Sequence, residues 1–345
     1  MKNKLNVGVI GLGVGARHTR TLHLNKKVNL ISLCDLDNKK INLYKKIFKN
    51  CNFTNNSDDI FKNPNIDIVI IASYDNFHAK HILQAIKYNK HFFVEKPFCL
   101  NINELNNINL NLKKNREISF SSNLILRNNP AFLDLKKKIK RKIIGDVYYC
   151  EGDYNYGRIN KILNGWRGQI PFYSVVLGGA IHLIDLIIWL SNKKVRSVIA
   201  EGNNISTKNT KFKNYDLVST LLKFEDGMIG KVTSNFASVT SHHHILNVYG
   251  TKSTFFYNNG VIKSYKSRDK SYVRKINNRF SYKWKSEILN SFIDSVYYQK
   301  DLKIVHENEI INLMSVCLAI EKSLKTKKWE NVKYINFKNT YNLKK

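Results

Sequence analysis

Val7-Gly8-Val9-Ile10-Gly11-Leu12-Gly13-Val14-Gly15-Ala16, with Leu30-Ile31-Ser32-Leu33-Cys34-Asp35 after it, decides the fold. A β-branched apolar run ends in closely spaced glycines, and a second apolar run ends in a carboxylate. This is the layout of a dinucleotide-binding βαβ unit. Gly11 permits the tight turn out of the strand. Gly13 lets backbone N–H groups approach a pyrophosphate, and Ala16, in place of a third glycine, is small enough for close helix–strand packing. The pyrophosphate is expected on the positive end of the helix that starts there. Gly11, Gly13, Val14, Gly15 and Ala16 are therefore candidate cofactor contacts. Asp35 is placed to accept from ribose hydroxyls about 20 residues further on. A carboxylate there repels a 2′-phosphate, so NAD is favoured over NADP, with Lys39 and Lys40 nearby as the counter-argument.

The chain has 345 residues, enough for two domains, and its apolar fraction of 43% is ordinary for a globular protein. It contains no run of about eighteen apolar residues, so no membrane span is expected. Met1-Lys2-Asn3-Lys4-Leu5 has no apolar signal region. Cys34, Cys51, Cys99, Cys150 and Cys317 are scattered and form no CxxC. They read as reduced thiols of a cytoplasmic protein rather than disulfides or metal ligands.

The net charge of +31 admits two readings. A nucleic-acid partner is one. The other is the A/T-rich codon usage of Lys and Asn, which are abundant throughout. The cations are spread along the chain, apart from Lys136-Lys137-Lys138-Ile139-Lys140-Arg141-Lys142, a solvated helix face. No nucleic-acid partner is expected. A basic surface would nevertheless attract an anionic substrate such as a nucleotide sugar.

Residues 1–123 alternate strand-like runs (Val7–Ile10, Leu30–Cys34, Ile66–Ala72, His91–Glu95, Ile118–Ser121) with helical stretches such as Ala79–Ile86. That alternation implies a parallel sheet covered on both faces. Residues 124–345 read as an α+β domain with a mostly antiparallel sheet. Its strands are Val147–Glu151, Val195–Gly202, Leu217–Phe224, Met228–Ser234, His244–Tyr249 and Ser253–Tyr257, with Asp226-Gly227 as a hairpin turn. Helices are expected at Ala180–Leu190, Ser286–Tyr298 and Glu307–Thr326. The fold class is α/β followed by α+β, with a site expected in the cleft between the domains.

Four further stretches carry chemistry. Phe92-Phe93-Val94-Glu95-Lys96-Pro97 ends a strand where ligands bind such sheets. Pro97 restricts the backbone of Lys96, which can donate to a substrate hydroxyl and stabilise charge on it. Leu177-Gly178-Gly179-Ala180-Ile181-His182-Leu183-Ile184-Asp185 opens an apolar helix whose His182 and Asp185 share a face. His182 is a candidate proton acceptor, with Asp185 orienting it, unless the pair is simply core. Trp166 offers a stacking ring, and Arg167 reads equally as a substrate cation or as a structural ion-pair partner. Ser73-Tyr74-Asp75-Asn76-Phe77-His78 follows another strand at the same edge, so Ser73, Asp75 and His78 are expected to line the cofactor or cap the next helix. His242-His243-His244 is not expected to hold a metal, because successive strand residues point to opposite faces.

These motifs together resemble the family of glucose–fructose oxidoreductase, inositol dehydrogenase and MocA-type proteins. The resemblance runs over nearly the whole chain. It rests on Gly11–His18, Glu95-Lys96-Pro97, Asn123 with Arg127 and Pro130, Gly145-Asp146-Val147, Trp166-Arg167 and Gly178–Asp185, then Phe224–Gly227 and Tyr249–Lys252. It implies a Rossmann domain joined to a domain with a large open sheet, often assembled as a homodimer or homotetramer. It also implies NAD(P)-dependent oxidation of a sugar, sugar derivative or cyclitol at a secondary alcohol. Lys96 matches the family's Glu-Lys-Pro lysine and His182 the histidine of its D-x-x-x-H motif. Glu95 and Lys96 are then cofactor-side residues, and Arg127, Trp166, Arg167 and Asp185 are substrate-side ones. Two positions depart from the pattern: Gly178 stands where the family has the aspartate, and Asp75 where the loop has an asparagine. The first motivates an alternative, a retired NAD-bound sensor or assembly protein of the same fold.

Overall fold

The computed structural model describes residues 3–115, 117–266, 268 and 285–337. The described residues of Met1–Leu124, Lys285–Met314 and Ile335–Lys345 form one compact unit, and those of Ile125–Trp284 and Ser315–Tyr334 form another.

The first unit runs β1 (Leu5–Ile10), α1 (Gly15–Leu24), β2 (Val28–Cys34), α2 (Asn38–Ile47), β3 (Asn52–Thr54), α3 (Asp58–Phe61), β4 (Ile68–Ile71), α4 (His78–Lys87), β5 (His91–Val94), α5 (Ile102–Lys114) and β6 (Phe120–Ser122). The strands pair in parallel in the order β3-β2-β1-β4-β5-β6. The order reverses at β1, and ligands bind at the carboxyl ends of the strands beside such a reversal. β4 is a continuous apolar run with no exposed residue, as a strand covered on both faces requires. A Cβ on Gly8 would lie 2.6 Å from Ile60 Cγ2, so α3 packs directly on β1. Asn101 caps α5 through the Glu104 N–H at 2.9 Å, and Glu104 accepts in return from Leu100 N at 2.8 Å.

A division at residue 123 assigns everything after it to the second domain, but the chain returns to the first unit at Lys285–Met314. The reason is burial. Phe292 stacks its ring 5.9 Å from Phe93. Glu307, fully buried, accepts from Lys303 Nζ at 2.7 Å, Ser119 Oγ at 3.2 Å and Phe120 N at 3.3 Å.

The second unit carries α6 (Pro130–Lys140), β7 (Val147–Asn155), α7 (Asn160–Leu163), α8 (Ile181–Ser191), β8 (Val195–Asn203), β9 (Leu217–Phe224), β10 (Ile229–Asn235), β11 (His243–Gly250), β12 (Thr254–Asn258), β13 (Val261–Tyr265) and β14 (Glu330–Asn331). The returning segment holds α9 (Glu287–Tyr298) and the start of α10 (Glu307–Thr326), whose residues from Ser315 on belong to the second unit. The strand order is β13-β12-β11-β7-β10-β9-β8-β14, antiparallel except for the parallel β7–β10 pair. In β7, Cys150, Gly152 and Tyr154 are buried while Glu151 and Asp153 face the other side. A Cβ on Gly152 would meet Leu183 at 3.3 Å, so α8 lies tightly on that buried face. Gly227 turns the β9–β10 hairpin at φ +90°. Among the described residues, no helix is long and apolar enough to cross a membrane.

Candidate active site

The first unit sets its candidate residues on loops at the carboxyl ends of neighbouring strands β1, β4 and β5. Gly11 adopts φ +93°, and a Cβ there would fall 2.2 Å from Ala72 O, so this turn excludes every other residue. Gly13 differs: its Cβ would meet nothing within 4 Å. No internal packing requires glycine at that point, whereas close approach by a pyrophosphate does. Close helix–strand packing falls on Gly15, whose Cβ would meet Ala72 Cβ at 3.1 Å and Val9 Cγ1 at 3.3 Å. That corrects the assignment of this role to Ala16, which is only half-buried. α1 has Val14 at its N-cap, with no side-chain cap and no acidic residue in its first turn, leaving its N–H groups and dipole for an anion. Asp35, 9% exposed, accepts from Leu12 N at 2.6 Å and Asp37 N at 2.9 Å, with Lys40 Nζ 3.4 Å away. Its carboxylate is thereby fixed beside the glycine loop. The open cradle at Gly13, the uncapped helix and the placed carboxylate fit a dinucleotide.

The other two loops are tied to each other. His78 is fully buried, Nδ1 lying 2.6 Å from Pro97 O and Nε2 3.0 Å from Ser73 O. It is a strut beneath the loops rather than the cofactor contact expected of it. Ser73 Oγ lies 3.0 Å from His81 Nδ1. Burial, helped by His78 and Lys80, lowers His81 to about 4. Asp75 begins a short 3-10 turn at the same edge and is half-buried. Glu95 also turns inward, accepting from His18 Nε2 and Asn123 Nδ2, each at 2.7 Å. Burial alone would push the Glu95 carboxyl up, but the His18 hydrogen bond and charge, Lys96 and Asn123 together hold it below its usual range. Glu95 is thus a charged anchor that fixes the strand end from which half-buried Lys96 projects. The Lys96–Pro97 peptide is cis.

The second unit places His182 in the first turn of α8, 7% exposed. A π-turn, Val176–Ala180, leads into the helix. Both glycines of that turn are required by rings pressed against it: a Cβ on Gly178 would fall 2.2 Å from Tyr173 Oη, and one on Gly179 would fall 2.7 Å from Tyr154 and Phe236. Tyr154 stacks near-parallel on His182 at 6.3 Å. His242 and His244 approach Tyr154 at 5.2 and 5.0 Å, while His243 turns to the opposite face toward Ser241 and Asn155. Among the described residues, no group of three His, Cys, Asp or Glu side chains could hold a metal ion. Arg127 and Asp185, each 2% exposed, form a bidentate pair at 2.6 and 3.0 Å. Arg167 lies 4.6 Å from the Trp166 ring centre and donates from Nε to Tyr173 Oη at 3.1 Å.

Comparison with known proteins decides the family. Residues 5–122 match the model of an oxidoreductase family with an NAD-binding Rossmann fold, and residues 132–256 match the GFO/IDH/MocA C-terminal domain. The chain belongs to the GFO/IDH/MocA family. It is 24% identical over 263 residues to myo-inositol 2-dehydrogenase of Thermotoga maritima, covering 74% of this chain and 75% of that protein. It is 23% identical to the 2,7-anhydro-N-acetylneuraminate hydratase of Escherichia coli, over 72% of this chain and 66% of that one. The structure of scyllo-inositol dehydrogenase from Lactobacillus casei with NAD(H) and scyllo-inositol superposes with a TM-score of 0.80 at 20% identity. That match covers 96% of this chain and 99% of the other.

Within this GFO/IDH/MocA chain, the glycine loop, Asp35, Ser73, Asp75 and Lys96 follow the carboxyl ends of β1, β2, β4 and β5 in the first unit. The second gathers His182, Trp166 and Arg167 around aromatic rings. The motifs name His18 and Asn123 without showing that they hold Glu95, and nothing in them shows that Tyr154 and Tyr173 press on the glycines. The double glycine requires close neighbours without naming them.

Proposed function

We propose that the chain is an NAD-dependent dehydrogenase or reductase that acts on a secondary alcohol of a sugar, nucleotide sugar or cyclitol. The observation that carries this reading is the anchoring of Lys96. Glu95 is clamped by His18 and Asn123, and His78 braces Pro97, so the lysine stands at a fixed point on the strand edge that holds the glycine cradle. Gly11 to Ala16, the α1 N-terminus and Asp35 would hold NAD; Asp35 favours it over NADP by accepting from ribose hydroxyls and repelling a 2′-phosphate. When bound, NAD supplies the hydride-accepting centre. Lys96 Nζ donates to the substrate oxygen and stabilises the negative charge developing there. His182 takes the hydroxyl proton in oxidation and returns it in reduction. Arg127 and Asp185 serve as positioning residues, since a buried bidentate pair fixes the chain before α6 against α8 and so orients His182. Trp166 and Arg167 contact substrate. The open face of the eight-stranded sheet, with Glu151 gathering Tyr149, Asn247 and Lys231, suits a homodimer or homotetramer.

The test is turnover with NAD and with NADP across sugars, cyclitols and nucleotide sugars, followed by absorbance of the reduced nicotinamide. We expect reduction of NAD with at least one class. The second reading, a retired NAD-bound sensor, is favoured by one observation: Tyr173 Oη lies 2.2 Å from where a Cβ on residue 178 would stand, so the position has no room for an aspartate. It requires tight NAD binding with no reduction by any compound.

A further inference from the structure

The second unit concentrates cationic and imidazole groups around a single ring. Tyr154 lies on the buried side of β7, stacked on His182 and flanked by His242 and His244. The Tyr156 ring stacks on it at 6.0 Å and carries the Arg158 guanidinium 5.4 Å from its centre. Arg167 sits over Trp166 and is tied to Tyr173 Oη. Burial and Tyr156 push the Tyr154 phenol up, while Arg167 and Arg158 act in the opposite sense, so both guanidinium charges reach the ring on which His182 lies. Gly178 completes the arrangement. With no side chain there, the turn before His182 presents a guanidinium-bound hydroxyl instead of a residue's own side chain.

A guanidinium laid on an aromatic face keeps its N–H fork fixed, and that fork matches the paired oxygens of a carboxylate or phosphate. Flat rings beside it suit the apolar face of a sugar ring. We propose that the second unit takes a sugar-type substrate bearing a carboxylate or phosphate group, read by Arg158 and Arg167. This deepens the dehydrogenase reading and rests on it for His182 as the reacting end.

The test is calorimetric titration of the full chain, saturated with NADH, by glucuronate, glucose-6-phosphate, UDP-glucose and myo-inositol. At least one anionic probe is expected to bind roughly 10-fold or more tighter than myo-inositol, and its affinity is expected to fall as salt rises. Glucuronate alone binding tightly assigns a carboxylate; the two phosphorylated probes alone assign a phosphate. Arg158→Ala removes an exposed side chain and spares the fold. It should lower anion affinity about 10-fold and leave myo-inositol binding unchanged, and Arg167→Gln should lower anion affinity about 10-fold as well. Equal binding of all four probes, or anion binding indifferent to both substitutions, overturns the proposal. Tight anion binding with no reduction of NAD by any of the sugars, cyclitols and nucleotide sugars defeats the dehydrogenase reading and leaves this one standing. A neutral polyol that is oxidised while no anionic probe binds does the reverse.

Discussion

The cradle of the first unit and the aromatic cluster of the second are built on opposite plans. Gly11 to Ala16, Ser73 to His78 and Glu95 to Pro97 are short consecutive stretches, each placed by the strand just before it. Their geometry follows from backbone rules: a positive φ, an uncapped helix start, a carboxylate at a strand end. The cluster around His182 draws on β7, β11, the π-turn and the segments holding Trp166, Tyr173 and Phe236. Its geometry follows from rings packed across long sequence separations. A locally specified site tolerates variation elsewhere, whereas one specified by packing transmits changes in any of its walls.

That contrast can be broken or sharpened by substitution. The largest effect is expected from Arg127→Ala, which strands a buried Asp185 carboxylate. Breaking such a pair costs about 3–5 kcal/mol, read as a lowered urea midpoint. Arg127→Met combined with Asp185→Leu should recover most of the loss, because the pair holds position rather than performing chemistry. If the single substitution is silent, the cluster does not depend on this packing. Asp35→Ala acts on the locally specified half. Removing hydrogen bonds to a charged group worth about 1.5–3 kcal/mol should weaken NADH binding about 10- to 100-fold, with the urea midpoint little changed.

Glu321 gives a pH test. Its carboxyl accepts from Ser174 Oγ at 2.5 Å, in the segment that leads into the π-turn. Burial pushes the group up to about 6, against the pull of Ser174 and Lys325. A carboxyl raised in the folded state binds its proton more tightly there than in the unfolded chain. Its full contribution is therefore present below the unfolded value of 4.5 and is lost as pH rises through about 6. Stability should fall by up to about 2 kcal/mol across that window, and Glu321→Gln should flatten the profile. The smallest effect is expected from Asn101→Ala, the loss of one helix cap, about 1 kcal/mol in thermal unfolding with cofactor binding intact.

The same contrast explains what the amino-acid order revealed. Strands β1, β2, β4 and β5 and the three loops that follow β1, β4 and β5 were legible because apolar runs and glycines sit next to each other in the chain. The short strands β3 and β14 carry too few residues to show a period. The return of Lys285–Met314 to the first unit depends on which apolar face meets Phe93, and no local pattern reports that. Glu95 and His78 were recognised as important but given ligand contacts; their partners, His18, Asn123 and the Pro97 carbonyl, show them to be anchors. Arg127 and Asp185, far apart in sequence, read as two independent polar residues until the fold joined them. Gly178 was read as a missing carboxylate, and the structure supplies its physical cause in the Tyr173 hydroxyl.

The central claim is that Lys96 and His182 do the chemistry while the Gly11 cradle holds the cofactor. Its most direct test is a paired measurement on Lys96→Ala and His182→Ala: NADH affinity by fluorescence titration, and turnover on whichever alcohol the wild type oxidises. We expect NADH affinity within about 3-fold of wild type in both, with turnover lowered about 100-fold or more. Full turnover in either variant, or a collapse of NADH affinity in His182→Ala, would contradict it.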